Sequence, residues 1–153
     1  MRILTCSGIN HRKTMESIFD FSMIAPCGIN CGTCYAFQRT KNRCVGCLNP
    51  EGNKPRHCNL CSIKNCGHHP KNGSNHCYDC EIFPCNRLKQ LDKRYRSKYH
   101  SSLIQNLKDL KVMGEDPYME REKVRCRCKV CGAVICIHAK ECQTCKTALP
   151  ELI

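Results

Sequence analysis

The sequence predicts a small metal-stabilised α+β protein: an irregular cysteine-rich knuckle lobe, a long central helix and a C-terminal zinc-ribbon hairpin. Three observations lead there. Eighteen of the 153 residues are cysteine. Ile, Leu, Val and Phe together number 30, about a fifth of the chain, which is the lower edge for a self-sufficient apolar core. Residues 86–113 contain no cysteine, glycine or proline and step their apolar residues at helical spacing. A chain so thin in apolar residues needs disulfides or metal to order it.

The choice between these follows from compartment and spacing. The best candidate for a secretory apolar run, 18–26, is interrupted by Asp20 and Ser22. No stretch approaches the ~20 apolar residues of a membrane span. The expectation is a cytoplasmic protein without a membrane partner, whose thiols stay reduced and ligate metal. Six pairs have Cys-x2-Cys spacing (31/34, 44/47, 58/61, 77/80, 128/131 and 142/145), which lets a tight turn wrap one ion.

Residues 1–22 hold one cysteine, Cys6, and read as a poorly ordered arm or an extended start, with Met23 a candidate natural start. Residues 23–113 form the cysteine-rich lobe plus helix. In the lobe, Cys27, Cys31, Cys34, Cys44, Cys47, Cys58, Cys61, Cys66, Cys77, Cys80 and Cys85 are separated by Gly, Asn, Pro and His. Ordering the backbone costs ~1–2 kcal/mol per residue, which so few apolar side chains do not offset. Metal–thiolate bonds are the substitute, a structural zinc supplying on the order of 10–16 kcal/mol. Eleven cysteines do not divide into fours, so two or three sites are expected with open connectivity. The lobe's cofactor is zinc or an iron–sulfur cluster, since thiolates suit both.

The helix follows. Leu88, Leu91, Tyr95, Tyr99, Leu103, Leu107 and Leu110 form one stripe, expected to pack on the lobe. Asn86 is the candidate N-cap, Gly114 and Pro117 the stop, and His100-Ser-Ser102 a place where the helix could break in two. Residues 114–125 read as a charged linker. Residues 126–149 form a zinc-ribbon-like unit. Cys128-x2-Cys131, ten residues, then Cys142-x2-Cys145 should hold one tetrahedral zinc, with 134–138 in a β-hairpin. Cys126, Cys136 and His138 are left without roles, packing and hydrogen bonding being the plainer reading for the last two.

Ala25-Pro-Cys-Gly-Ile-Asn-Cys-Gly-Thr-Cys-Tyr35, Cys44-Val-Gly-Cys47, Cys61-Ser-Ile-Lys-Asn-Cys66 and Cys77-Tyr-Asp-Cys-Glu-Ile-Phe-Pro-Cys85 resemble an uncharacterised prokaryotic cysteine-rich family, domain of unknown function 3795. Asn106-Leu-Lys-Asp-Leu110 and Gly114 also fit, so the resemblance spans roughly 23–120. It implies bacterial or archaeal origin, often in anaerobes, and no established activity. Cys58 stands outside the family pattern. Longer members resemble this chain in carrying a C-terminal ribbon.

The metal ligands expected are therefore Cys128, Cys131, Cys142 and Cys145 for zinc, and Cys27, Cys31, Cys34, Cys44, Cys47, Cys61, Cys66, Cys77, Cys80 and Cys85 in the lobe. Cys27-x3-Cys31-x2-Cys34 copies the spacing of radical S-adenosylmethionine enzymes, but the chain has no room for their barrel. No paired carboxylates, Ser/His/Asp set or phosphate-binding glycine loop is visible, so no catalytic residue is assigned and the balance leans away from an enzyme. Residues 86–113 carry eight Lys or Arg (87, 89, 93, 94, 96, 98, 108 and 111) against Asp92 and Asp109. The function expected is a zinc-stabilised binding or adaptor module for a macromolecular partner, protein or nucleic acid. The alternative is an iron–sulfur protein for electron transfer or cluster delivery.

Overall fold

The computed structural model describes residues 18–69 and 73–150. The expected arm lies outside the described residues up to position 17, as does Cys6. From Ile18 the chain is already inside the molecule. Ile18 and Phe19 are buried in the core, so the division drawn between residues 22 and 23 does not mark an edge of the packed structure.

Five α-helices are described: α1 (Tyr35–Gln38), α2 (Arg56–Asn59), α3 (Asn86–Tyr99), α4 (Leu103–Met113) and α5 (Glu115–Arg125). Short 3-10 turns at Phe21–Met23, Cys31–Thr33 and Cys77–Asp79 shape the lobe. None of the helices is long and apolar enough to cross a membrane.

The expected apolar stripe is real, and it is carried by two helices. Leu88, Tyr95, Leu103, Leu107 and Leu110 are buried, with Leu91 and Tyr99 half-buried beside them. The break falls at His100-Ser101-Ser102. His100 turns the chain through the left-handed region at φ +48°. Ser102 then caps α4, its Oγ accepting from the Gln105 N–H at 3.1 Å. Asp92 reaches across from α3 and accepts from Ser102 Oγ at 2.9 Å and the Ile104 N–H at 3.0 Å. A carboxylate inside α3 thus completes the start of α4.

The charged linker is instead helix α5. Gly114, at φ +81°, ends α4 and starts α5 without an intervening loop. Pro117 sits in the first turn, where a backbone N–H has no helical partner to lose. Glu115 and Asp116 lie at the N-terminus and Lys123 and Arg125 at the C-terminus, matching the helix dipole. The polar face that suggested a linker includes a buried ion pair: Glu122 is 1% exposed, and Arg125 Nη2 stands 2.7 Å from its carboxylate. Arg125 also donates to Asn106 Oδ1 at 3.1 Å, and Asn106 Nδ2 donates to the Gly28 carbonyl at 3.1 Å. This chain of contacts ties α5 through α4 to the first cysteine loop. Gly28 itself is at φ +89°, and a Cβ there would meet Leu103 O at 2.8 Å, so glycine lets the loop lie against α4.

The predicted β-hairpin does not form. Among the described residues there is no strand, only isolated bridges such as Arg127 with Val134 and Glu141 with Ala148. The reason lies in where 134–138 finds its hydrogen bonds. Ile137 N–H donates to the Thr33 carbonyl at 2.8 Å, and Gln38 Nε2 donates to the Ile135 carbonyl at 2.9 Å. Ile135, Cys136 and Ile137 are all buried, rather than alternating between two faces. The segment is pressed into the N-terminal lobe, which takes the Ile137 N–H and the Ile135 carbonyl; the Ile135 N–H still bonds the Cys126 carbonyl at 3.0 Å, and the pairing ends at that single bridge. One apolar cluster accordingly runs from Phe19 and Ile24 through Leu88, Leu107 and Tyr118 to Ile135 and Ile137.

Candidate metal centres

The C-terminal unit consists of two copies of one turn. Cys128 N–H donates to the Ala133 carbonyl and Gly132 N–H to the Cys128 carbonyl, both at 2.8 Å. Fourteen residues on, Cys142 N–H donates to the Thr147 carbonyl at 2.8 Å and Lys146 N–H to the Cys142 carbonyl at 2.9 Å. The residue after each second cysteine is left-handed: Gly132 at φ +72° and Lys146 at φ +62°. Glycine at the first position meets that need without strain.

These turns bring four sulfurs together. The ligand atoms of Cys128, Cys131, Cys142 and Cys145 all lie within 4.8 Å of one another. Sγ of Cys128 is 3.6 Å from that of Cys145, and Sγ of Cys131 is 3.6 Å from that of Cys142. Four sulfurs at about 2.3 Å from a tetrahedral zinc stand about 3.8 Å apart, so the set fits one ion. Such a group can hold a metal ion.

The surroundings prepare some of these sulfurs to be anions. The Thr147 hydroxyl lies 3.3 Å from Cys145 Sγ, and with the Thr147 N–H it lowers that thiol to about 6. The N–H groups of Cys145 and Thr144 lower Cys142. Cys131 behaves oppositely. The Ala133 N–H favours its thiolate, but desolvation and the sulfurs of Cys145, Cys142 and Cys128 push it up to about 12. Four thiolates this close repel one another, and a dication removes that penalty.

Cys126 is not part of this group. Its thiol donates to the buried Glu122 carboxylate at 3.3 Å, and burial, then Glu122, raises its pKa. Cys136 is 2% exposed and has Cys34 as a thiol neighbour. His138 is held at both nitrogens: the Tyr35 N–H approaches Nδ1 at 3.3 Å, and Tyr95 Oη lies 3.0 Å from Nε2. With Nδ1 accepting, Nε2 carries the proton and donates to Tyr95. The rings of Tyr95 and Tyr99 stand edge-on to His138, with centroids 5.7 and 4.8 Å away. Tyr95 and Tyr99 are thereby occupied in packing, as their helical spacing implied. No sequence signal pointed to the His138 bridge.

The lobe's cysteines are gathered more loosely. Among the described residues, no second group of three or more ligating side chains closes within 4.8 Å. Cys27, Cys31, Cys44 and Cys77 are buried, while Cys34, Cys47, Cys61, Cys66, Cys80 and Cys85 are half-buried. The Cys47 N–H points at Cys31 Sγ at 3.4 Å, and the Gly46 N–H at Cys44 Sγ at 3.5 Å. The Cys31 thiol, hydrogen-bonding to Cys47, lowers the latter to about 7 with help from Lys64 and Lys54. Cys31 moves up in return. Cys58 also sits by Cys47 and Cys44, and burial raises it to about 11. Cys27 is raised by burial as well, with Cys47, Cys61 and Cys77 as thiol neighbours. A second gathering lies under the start of α3, where Cys66, Cys77, Cys80 and Cys85 line one small cavity. Burial pushes Cys77 up to about 12, with the thiols of Cys85, Cys66, Cys80 and Cys61 around it.

The fold and this site define a small, cysteine-rich protein whose described regular structure is helical, with a four-thiol group able to hold a metal ion. Residues 23–90 match the model of a family described as protein of unknown function (DUF3795). The resemblance read in the sequence is thus shown over the lobe and the opening of α3. It stops short of residue 120, and the four-thiol group lies outside the matched segment. No curated protein and no solved structure matches the chain.

Proposed function

We propose that the protein is a metal-stapled binding module of the cytoplasm. Zinc on Cys128, Cys131, Cys142 and Cys145 fixes the C-terminal knuckles. Zinc or iron–sulfur ligation by the lobe's cysteines orders the rest. The assembled scaffold offers the basic surface of α3 to a macromolecular partner, protein or nucleic acid.

The four-sulfur group carries this reading. Its 3.6 Å edges suit a tetrahedral ion, and twin turns of this kind are how structural zinc is held. The surface reading rests on charge. Arg87, Lys89, Lys93, Arg94, Arg96 and Lys98 are all exposed on α3. Arg96 is engaged by Asp92 at 3.0 Å, and Asp92 is the helix's one acidic residue. The raw charge of +12 overstates the protein's basicity, because each zinc with four thiolates adds −2. Basic character is then a property of one helix more than of the whole chain.

Metal analysis and circular dichroism test the staple. The expected result is one zinc per chain at the C-terminal group and loss of helical signal after complete chelation. An unchanged spectrum after metal removal would falsify the structural role. Filter binding with mixed RNA and DNA at low salt separates the partners: retention that weakens as salt rises supports nucleic acid, and no retention at high protein concentration leaves protein.

A further inference from the structure

We infer that Cys66, His69, Cys77 and Cys85 hold one zinc ion in the small cavity beneath the first turn of α3. This deepens the function proposed above and rests on its assignment of the lobe's cysteines as ligands, to which it adds a histidine.

One edge of the site is already drawn. His69 Nε2 lies 3.7 Å from Cys77 Sγ. A tetrahedral zinc with sulfur at about 2.3 Å and imidazole nitrogen at about 2.0–2.1 Å sets that edge at about 3.6 Å. His69 is half-buried, whereas its neighbour His68 is exposed. Cys66-Gly-His-His69 also repeats the spacing of the Cys-x2-Cys pairs, with a ring nitrogen in place of the second sulfur.

Two thiols complete four ligands. Cys85 stands at the N-cap of α3, where the first N–H groups of a fourteen-residue helix favour a thiolate. Beyond burial, the thiols that raise Cys77 are Cys85 first and Cys66 next, with Cys80 behind them. Such influence falls with distance, so Cys85 and Cys66 are the nearer partners.

Size argues for a single ion. His69 and the cysteines line a cavity of about 30 Å³, the room of one water molecule. One ion that draws its ligands inward uses that space, and a polynuclear core does not fit it. Among the described residues, the C-terminal sulfurs already stand within 4.8 Å of one another, and no three ligand atoms here do. These side chains therefore close on the ion as it binds.

Charge favours three thiolates over four. Zinc with three thiolates and a neutral imidazole carries a net charge of −1, and Arg87 on the cavity wall offsets it. A fourth thiolate would leave −2 against the buried, apolar Ile63 and Leu88, where uncompensated charge is costly.

The test is the zinc content of full-length protein purified under reducing conditions. H69Q and C85S should each lose one zinc per chain relative to wild type, and C80S should keep it. H69Q can still donate an N–H to the Cys77 sulfur, so its loss of zinc separates ligation from a hydrogen bond. C128S/C142S should lose the other zinc and keep this one. The inference is overturned if H69Q keeps all its zinc or if C80S loses one. If wild type holds no zinc beyond that lost in C128S/C142S, the wider assignment of the lobe as a metal site fails with it. Should H69Q or C85S not fold, the wild-type protein decides, treated with diethyl pyrocarbonate and iodoacetamide and read by mass spectrometry. Protection of His69, Cys66, Cys77 and Cys85 by zinc supports the site, and equal modification of His69 with and without zinc removes it.

Discussion

His138 shows how one side chain can join two units. It lies between the two knuckles in sequence, yet its ring nitrogens meet the Tyr35 backbone and the Tyr95 hydroxyl. Burial lowers its pKa, with Arg94 acting in the same direction. The folded protein therefore keeps His138 neutral where the unfolded chain, titrating near 6.5, takes up a proton. The stability this gives is present above about pH 6.5 and is lost as pH falls through the lowered folded value. Thermal melts between pH 7.5 and 5 should show wild type losing stability more steeply than His138→Gln. Thiolate protonation burdens both proteins equally, so parallel curves would count against the buried neutral ring. The sequence reading of His138 as a hydrogen-bonding side chain holds, but its partners were not legible, because the spacing does not say which distant backbone or tyrosine the ring will meet. Cys126, left without a role by the sequence, gains one only in the structure, which brings its thiol to Glu122, one helical turn back.

Among the elements, the helices divide sharply between what was legible and what was not. The apolar stripe of α3 and α4 was legible because periodicity depends on local spacing alone. The position of the break was readable too, as two serines after a histidine. Its stabiliser was not, since local spacing does not tell a solvated acid on a basic helix from one that reaches the start of the next helix. In the structure Asp92 is 4% exposed and bonds Ser102, the Ile104 N–H and Arg96. Asp92→Ala should destabilise the protein by about 2 kcal/mol, the cost of a lost helix cap with its buried partners left short, measured by urea unfolding. Asp92→Asn, which can still accept, should cost less. The failed hairpin has a different origin. Val134-Ile-Cys-Ile is β-prone by composition, but a strand needs a continuous partner, and beyond the single bridge of Val134 to Arg127 the neighbour is the turn from Gly32 to Gln38.

At the scale of the whole molecule, the lobe, the three long helices and the knuckle unit share a single core, so the 68-residue span of the family match is not a self-contained packing unit. The ligand inventory was legible because Cys-x2-Cys spacing is a local pattern. Which cysteines share a centre was not, because that depends on how distant turns are brought together. The shared core also has an optical consequence. The chain contains no tryptophan and five tyrosines, so tyrosine emission is not masked. Tyr95 and Tyr99 rest on a histidine whose segment is anchored at both ends by the four-sulfur group. Stripping metal from that group should release His138 and change the tyrosine fluorescence, while chelator added to His138→Gln should produce a much smaller change. The three rings, packed edge to face, thereby form a built-in gauge, and metal occupancy could be followed in real time on unlabelled protein with an ordinary fluorimeter.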